Sequence, residues 1–379
     1  MNCFDFYCPT KIEFGENAVA KIANYIETYK IKKPIVVTDK ILMKLTQTSE
    51  VINNIEGAVV FDNVLPNPTS ALVMDLKAFI EEYHGDGLIV FGGGSPIDSA
   101  KAASVVAYSS NDVIDYYDSK ADKLMIEKAL PIIAVPTTSG TGSEVSKYSV
   151  ITDVKSNLKE SLTSDLITPK VAVVDPCLMA GMPPSVTVST GLDALSHALE
   201  SLVSTIENPF TNVLALHAIE LIVNNLNKAR VDGNDLEARG NMAFAALTAG
   251  IAMSHCCGTM GHAMGCQLTS QYNVPHGLAC AVIQKDALDY ARGKESNIKM
   301  LVDYLDKANY EEADAVRIMQ QKLVDLFQQL ETKMNLADYQ MTEEGMSIMT
   351  KDSMNHGCMG LNPEAMDVEK VMSIFKKLS

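Results

Sequence analysis

The stretch "TGLDALSHALESLV" sets Asp193 and His197 four positions apart in an otherwise apolar run. On a helix that spacing puts both on one face, where they can bite one cation or simply hydrogen-bond each other. Leu192, Leu195, Leu199 and Leu202 surround them, so burying either polar group without a partner would be costly. Farther on, "GTMGHAMGCQLTSQYNVPHGLA" supplies His262 and His276. One carboxylate and three imidazoles make a donor set suited to a first-row divalent ion such as Fe²⁺ or Zn²⁺. Of the remaining histidines, His84, His217 and His356 stand without companions, and His255 lies close to the ligand region.

A second kind of chemistry is written in "GLIVFGGGSPIDSAK", which reads as strand, glycine turn and helix. Ser95 suits the helix N-cap, Pro96 the first helical position, and Asp98 completes a capping box. Such a helix start offers unpaired N–H groups and the positive end of the dipole to a phosphate, and glycines let it approach the backbone. A plain tight turn is the competing reading, since the stretch matches neither G-x-G-x-x-G nor a P-loop. "AVPTTSGTGSEVSKYSVITD" (134–153) follows another strand with hydroxyls and glycines able to wrap a diphosphate or ribose. Asp39 closes the strand "IVVTDK", where it serves a turn or accepts from an adenosine ribose hydroxyl. In the second role its charge would repel a 2′-phosphate and favour NAD over NADP. It lies upstream of the glycine loop, whereas the acid of the ordinary dinucleotide fingerprint follows by about 20 residues. The wiring of this site is therefore different.

The elements that must position these groups fall into two textures. "PIVVTDK", "AVVFDNV", "GLIVFGG", "PIIAVPT" and "VAVVDP" are short, apolar and β-branched, with helical stretches such as "ENAVAKIANYIETY" and "SALVMDLKAFIEEY" between several of them. That alternation predicts a largely parallel sheet with helices on both faces. After residue 180 the pattern becomes helical with hardly a strand, and "AGMPPS" marks the change. The fold reads as an α/β dinucleotide-binding domain over 1–180 and an all-α metal-binding domain over 181–379. Its 31 basic against 47 acidic residues give a net charge of −16, which excludes nucleic acid and anionic membrane as natural partners. No signal peptide is visible in "MNCFDFYCPT", no run is long and apolar enough for a membrane span, and no CxxC pairing occurs. The expected location is the cytoplasm, with reduced thiols.

In order along the chain, "GGGSPIDSAK", "PTTSGTGSEV", "VVDP", "TGLDALSHALE", "GHAMG" and "PHG" resemble the iron-containing alcohol dehydrogenase family nearly end to end. The resemblance implies a dehydroquinate-synthase-like fold with NAD(P) in the cleft between two domains. It implies that Asp193, His197, His262 and His276 hold the metal. Gly93, Gly94 and Ser95 would cradle the pyrophosphate, Asp39 would read the ribose, and Asp98 would support the loop. Asn67, Thr137, Thr138, Thr141, Ser143 and Lys159 would complete the cofactor site. Related proteins are often dimers or larger, so a homo-oligomer is expected. The chain also departs from the pattern. Cys266 stands where the family commonly carries a further histidine near the nicotinamide, so it either belongs to the catalytic site or is a small residue reshaping the pocket. "SHCCGTM", "LACAVIQKDALDY" and Glu364 also differ from the family's usual residues.

These readings together imply an NAD-linked, metal-dependent dehydrogenase acting on a short primary alcohol or its aldehyde. Rivals are a polyol dehydrogenase of the glycerol or propanediol type, a semialdehyde dehydrogenase of the same fold, and a nucleotide sensor that has lost catalysis. A lyase of the dehydroquinate-synthase type is disfavoured, because 193–200 and 258–280 contain no Lys or Arg to hold a phosphorylated substrate.

Overall fold

The computed structural model describes residues 3–306 and 310–379. These residues cluster into two compact units, one over Tyr7–Ala180 and one over Gly181–Ser379 joined by the segment ending at Phe6.

In the first unit eight strands form, β1 (Lys11–Phe14), β2 (Pro34–Val37), β3 (Val59–Phe61), β4 (Gly87–Gly92), β5 (Ile132–Pro136), β6 (Tyr148–Thr152), β7 (Lys159–Thr163) and β8 (Val171–Val174). Six of them build one parallel sheet in the order β1-β8-β5-β4-β2-β3. Four helices accompany them, α1 (Ile22–Thr28), α2 (Thr46–Asn53), α3 (Ser70–Tyr83) and α4 (Gly94–Val106). Both faces of the sheet are covered, as the unbroken apolar strands require. Ile35, Val37, Leu88 and Val90 enter one core cluster, while Val36, Ile89 and Phe91 enter the other, following the two-residue period of a strand. All five strands read from the sequence are present.

Two features escaped that reading. Strand β1 is short and mostly exposed, and it pairs only with β8. Strands β6 and β7 form a separate antiparallel hairpin. Mostly half-buried, with only Ser149, Ile151 and Leu162 buried, they are polar enough to look like a continuation of the hydroxyl loop.

Among its described residues the second unit has nine α-helices and no strand. They are α5 (Pro184–Val203), α6 (Pro209–Val231), α7 (Leu236–Cys256), α8 (Met260–Tyr272), α9 (His276–Ala287), α10 (Glu295–Leu305), α11 (Ala315–Gln329), α12 (Glu343–Asn355) and α13 (Val368–Leu378). One apolar cluster runs from Val188 to Leu378 through all of them. Residues 3–6 were expected in the α/β domain. They pack in this unit instead, because Phe6 stacks on Phe210 at 5.0 Å and on His255 at 4.3 Å. No single helix among the described residues is long and apolar enough to cross a membrane.

Candidate active site

Asp193 and His197 lie one turn apart on α5, His262 on the first turn of α8, and His276 opens α9. The three imidazole Nε2 atoms of His262, His276 and His197 stand 3.7, 3.8 and 4.0 Å from a single oxygen, Asp193 Oδ1. These separations are too long for hydrogen bonds. They are close to the about 3.4 Å edge expected between donors sharing one tetrahedral ion. Asp193 Oδ1 and His262 Nε2 are buried without a hydrogen-bond partner, a costly state that a shared cation removes. The residues present thus fit a divalent ion. The rings of His197 and His262 stack at 4.7 Å, aligning both toward the carboxylate. The Asp193 side chain is 5% exposed and that of His276 32%, so the cluster is approached past His276.

Burial alone would raise the Asp193 pKa, but the facing His197, His276 and His262 hold the carboxyl well below its ordinary range. Burial likewise opposes a charged His262, while the Glu200 and Asp193 carboxylates drive its value well up. The set concentrates negative acceptors and imidazole around one point, which is an electrostatic demand for positive charge. Cys280 belongs to the same group, its thiol lying with Asp193, His262 and His276 in mutual donor reach. It follows His276 by one helical turn, a spacing legible in the sequence but not used there. Its thiol is pushed up to about 12, by burial first, and so is a neutral neighbour.

A residue missed from the sequence supports the centre. Glu200, fully buried on α5, accepts from His262 Nδ1 at 2.7 Å and from Gln284 Nε2 at 2.6 Å. It also accepts from the Thr259 backbone N–H, the Thr259 hydroxyl at 3.1 Å and the His262 N–H at 3.3 Å. Thr259 is the N-cap of α8, so this carboxylate satisfies orphan N–H groups and meets the positive end of the helix dipole. Burial pushes its pKa up, yet His262 and these donors win and bring it to about 2. An ionised Glu200 makes His262 Nδ1 the protonated nitrogen and turns the Nε2 lone pair toward Asp193.

In the α/β unit the candidate cofactor residues gather at the carboxyl ends of adjacent strands. Asp39 follows β2, Gly93–Ser95 follow β4, and Thr137–Thr141 follow β5. The Thr137 N–H donates to the Gly92 carbonyl at 3.1 Å, joining the two loops. Their approach explains the glycines: a Cβ on Gly93 would meet Thr138 Oγ1 at 2.8 Å, and one on Gly94 would meet Thr141 Cγ2 at 2.9 Å. Gly92 has φ +147° and packs against Pro96, a conformation open to glycine.

The expected capping box is not there. Helix α4 starts two residues earlier, its N-cap is Gly93, and no side chain caps it. Asp98 instead accepts from Ser143 Oγ at 2.5 Å and from the Val150 N–H at 3.1 Å, pinning the hydroxyl loop to the helix. Lys101, fully buried one turn on, donates to Ser143 Oγ, Ser146 Oγ and the carbonyls of Ser146 and Tyr148 at 2.7–3.1 Å. No side chain thus competes for the N–H groups of the first α4 turn, the kind of helix start that suits an anion. Asp39 Oδ1 caps the next turn, accepting from Ile41 N at 2.8 Å and Leu42 N at 2.9 Å. Asn67 is exposed with φ +54°, beside Pro68, whose carbonyl accepts from Thr152 N on the β6–β7 hairpin at 2.8 Å. Lys159 pairs opposite Thr152 on that hairpin.

Cys266 lies buried on α8, one turn beyond His262. His356, read as companionless, is not: its Nδ1 accepts from the Cys358 N–H at 3.3 Å, and the neighbouring Cys266 raises its pKa against the effect of burial. Its companions come from elsewhere in the chain, beyond the reach of local spacing.

The family model described as iron-containing alcohol dehydrogenase matches residues 9–176, and that of the C-terminal region of the same family matches residues 187–379. Alcohol dehydrogenase 4 of Saccharomyces cerevisiae is 32% identical over 380 residues, covering 98% of this chain and 97% of its own. The crystal structure of a 1,3-propanediol oxidoreductase superposes with a TM-score of 0.95 at 30% identity, covering 100% of both chains. That of sulfoacetaldehyde reductase from Bifidobacterium kashiwanohense in complex with NAD⁺ gives 0.90 at 30% identity, covering 100% of this chain and 99% of that one. With both halves matched and the fold shared along its length, the chain belongs to the iron-containing alcohol dehydrogenase family.

Proposed function

We propose that the protein interconverts a short primary alcohol and its aldehyde by hydride transfer with NAD, using a divalent ion, Fe²⁺ or alternatively Zn²⁺, held by Asp193, His197, His262 and His276. The observation that carries this reading is the convergence of three Nε2 atoms on Asp193 Oδ1 at 3.7–4.0 Å, with two of these buried atoms orphaned. Bound there, such an ion polarises a carbonyl or lowers the pKa of an alcohol hydroxyl, and NAD takes or gives the hydride.

The chain's own residues do the rest. Glu200 fixes the His262 tautomer and ring. Cys266 shapes the wall beside His262, with His356 as its neighbour. Gly93, Gly94 and Ser95 at the uncapped α4 N-terminus take the pyrophosphate. Thr137, Thr138, Thr141 and Ser143 add short donors, and Asp98 and Lys101 hold their loop in place. Asp39 takes the adenosine ribose, and Asn67 and Lys159 flank the remainder of the cofactor. Residence in the cytoplasm and assembly as a homo-oligomer complete the proposal. Light scattering tests the latter.

The test is aldehyde-dependent NADH oxidation over a panel of short aliphatic aldehydes, with protein reconstituted in Fe²⁺ or Zn²⁺. Turnover requires the ion, and His262→Ala loses both bound metal and turnover. Full metal content and full turnover in that variant would overturn the reading.

A further inference from the structure

The helical unit holds a thiol pair that the reaction leaves unused. Cys257 is the C-cap residue just after α7, and Cys358 sits in the short 3₁₀ turn Gly357–Leu361. Although 101 residues apart in the chain, their sulfurs are 3.6 Å apart, and both residues are partly exposed. The backbone at Cys257 has φ 56° and ψ 178°, a region used almost only by glycine. A side chain is held there against strain, and what it reaches is Cys358. The two thiols share a hydrogen bond that either sulfur can donate; that bond, with the Gly258 N–H adding another and burial opposing, brings Cys257 down to about 6 while Cys358 rises. One sulfur is thus a ready nucleophile and the other a waiting partner, with His356 bonded to the Cys358 N–H.

We propose that Cys257 and Cys358 form a reversible disulfide, with a low-molecular-weight disulfide as the oxidant. The Cys257 thiolate attacks one sulfur of the oxidant, whose S–S bond breaks and releases one thiolate. Cys358 then loses its proton and attacks the Cys257 sulfur. The protein S–S bond forms and the second small thiol leaves. Two electrons pass from the protein pair to the oxidant, and the two thiol protons end on the two small thiols.

Closing the pair brings the sulfurs from 3.6 Å to about 2.05 Å. The turn that must follow has no slack. A Cβ on Gly258 would meet His262 Cβ at 2.8 Å, and Thr259 grips Glu200, which orients His262. Oxidation therefore disturbs the His262 support. This last consequence rests on His262 as a metal ligand; the cross-link itself does not.

The experiment titrates the metal-loaded protein with oxidised glutathione and maps cysteine peptides by mass spectrometry under non-reducing conditions. The expected product is a 257–358 cross-link with no retained glutathione, reversed by excess reduced glutathione. Cys358→Ser traps one glutathionyl group on Cys257, and Cys257→Ser leaves Cys358 unmodified. The cross-link is read by mass alone, independently of turnover. Its absence from the wild type, a stable adduct on either cysteine, cross-links through Cys256 instead, or a metal ion captured by the pair would each overturn the proposal. Cross-linked protein is expected to lose at least half its turnover and regain it on reduction, while Cys358→Ser keeps its rate in oxidised glutathione. Unchanged turnover in fully cross-linked protein would overturn the coupling to His262.

Discussion

At the scale of single residues, Glu200 and Glu144 show burial acting on the same side chain with opposite results. Glu200 faces five donors and stays ionised at about 2. Replacing it with Gln removes the charge behind His262 and sets an amide N–H against other donors. Glu200→Gln is expected to weaken metal binding by roughly 10–100-fold, as loss of a ligand's orienting partner does, measured by metal retention against a chelator. Glu144, also buried, is raised from 4.5 to about 7, by burial first, with its own backbone N–H and Lys101 only partly offsetting. Its folded value lies above its unfolded one, so between 4.5 and about 7 the native state binds the extra proton. Stability from this group is present at the acid end and is lost as pH rises through the window. The loss is on the order of 3 kcal/mol. Urea unfolding at the two ends of the window should show wild-type stability falling with pH more steeply than in Glu144→Gln. Parallel slopes would contradict the assignment.

At the scale of elements, both sites depend on backbones brought unusually close by glycine. A Cβ on Gly277 would lie 1.8 Å from the Ser189 carbonyl oxygen and 2.8 Å from Asp193 Cβ, so its absence lets α9 press on α5 and carry His276 to Asp193. Gly277→Ala must push α9 away from α5. A cost of about 3 kcal/mol or more in urea unfolding is expected, with loss of bound metal. Gly94→Ala is milder, because it meets a threonine methyl rather than backbone. It should raise KM for NADH roughly tenfold, about 1.4 kcal/mol, and leave metal content unchanged. These contacts also mark what the amino-acid order could reveal. The parallel strands, the helical texture after 180 and the Asp193–His197 pair are local patterns with fixed periods, and they were legible. The partners of Glu200 at Thr259 and Gln284 lie 59 and 84 residues away, and the Cys257–Cys358 pair 101. No local period encodes such meetings. The α4 cap was misread for a related reason: Asp98 had a stronger claimant in Ser143, on another loop, than the helix start it was expected to close.

At the scale of the whole molecule, charge selects among substrates that the metal chemistry alone would treat alike. The net charge is −16, and the segments 193–200 and 258–280 that surround the candidate ligands contain no Lys or Arg. An anionic aldehyde approaching that region meets a repulsive field and finds no fixed cation from these segments to hold its acid group. An uncharged aldehyde of equal length pays neither cost. Exposed charges are screened over about 8 Å at physiological ionic strength, so added salt relieves the approach but supplies no missing contact. At saturating NADH, kcat/KM for the neutral aldehyde should exceed that for its carboxylate or sulfonate counterpart by at least about tenfold, a discrimination of about 1.4 kcal/mol. Raising ionic strength should narrow that ratio without erasing it, because the lost hydrogen-bonded ion pair remains lost. Equal values at low salt, or a preference for the anion, would mean that a cation outside these two segments reaches the substrate and that the charge argument fails.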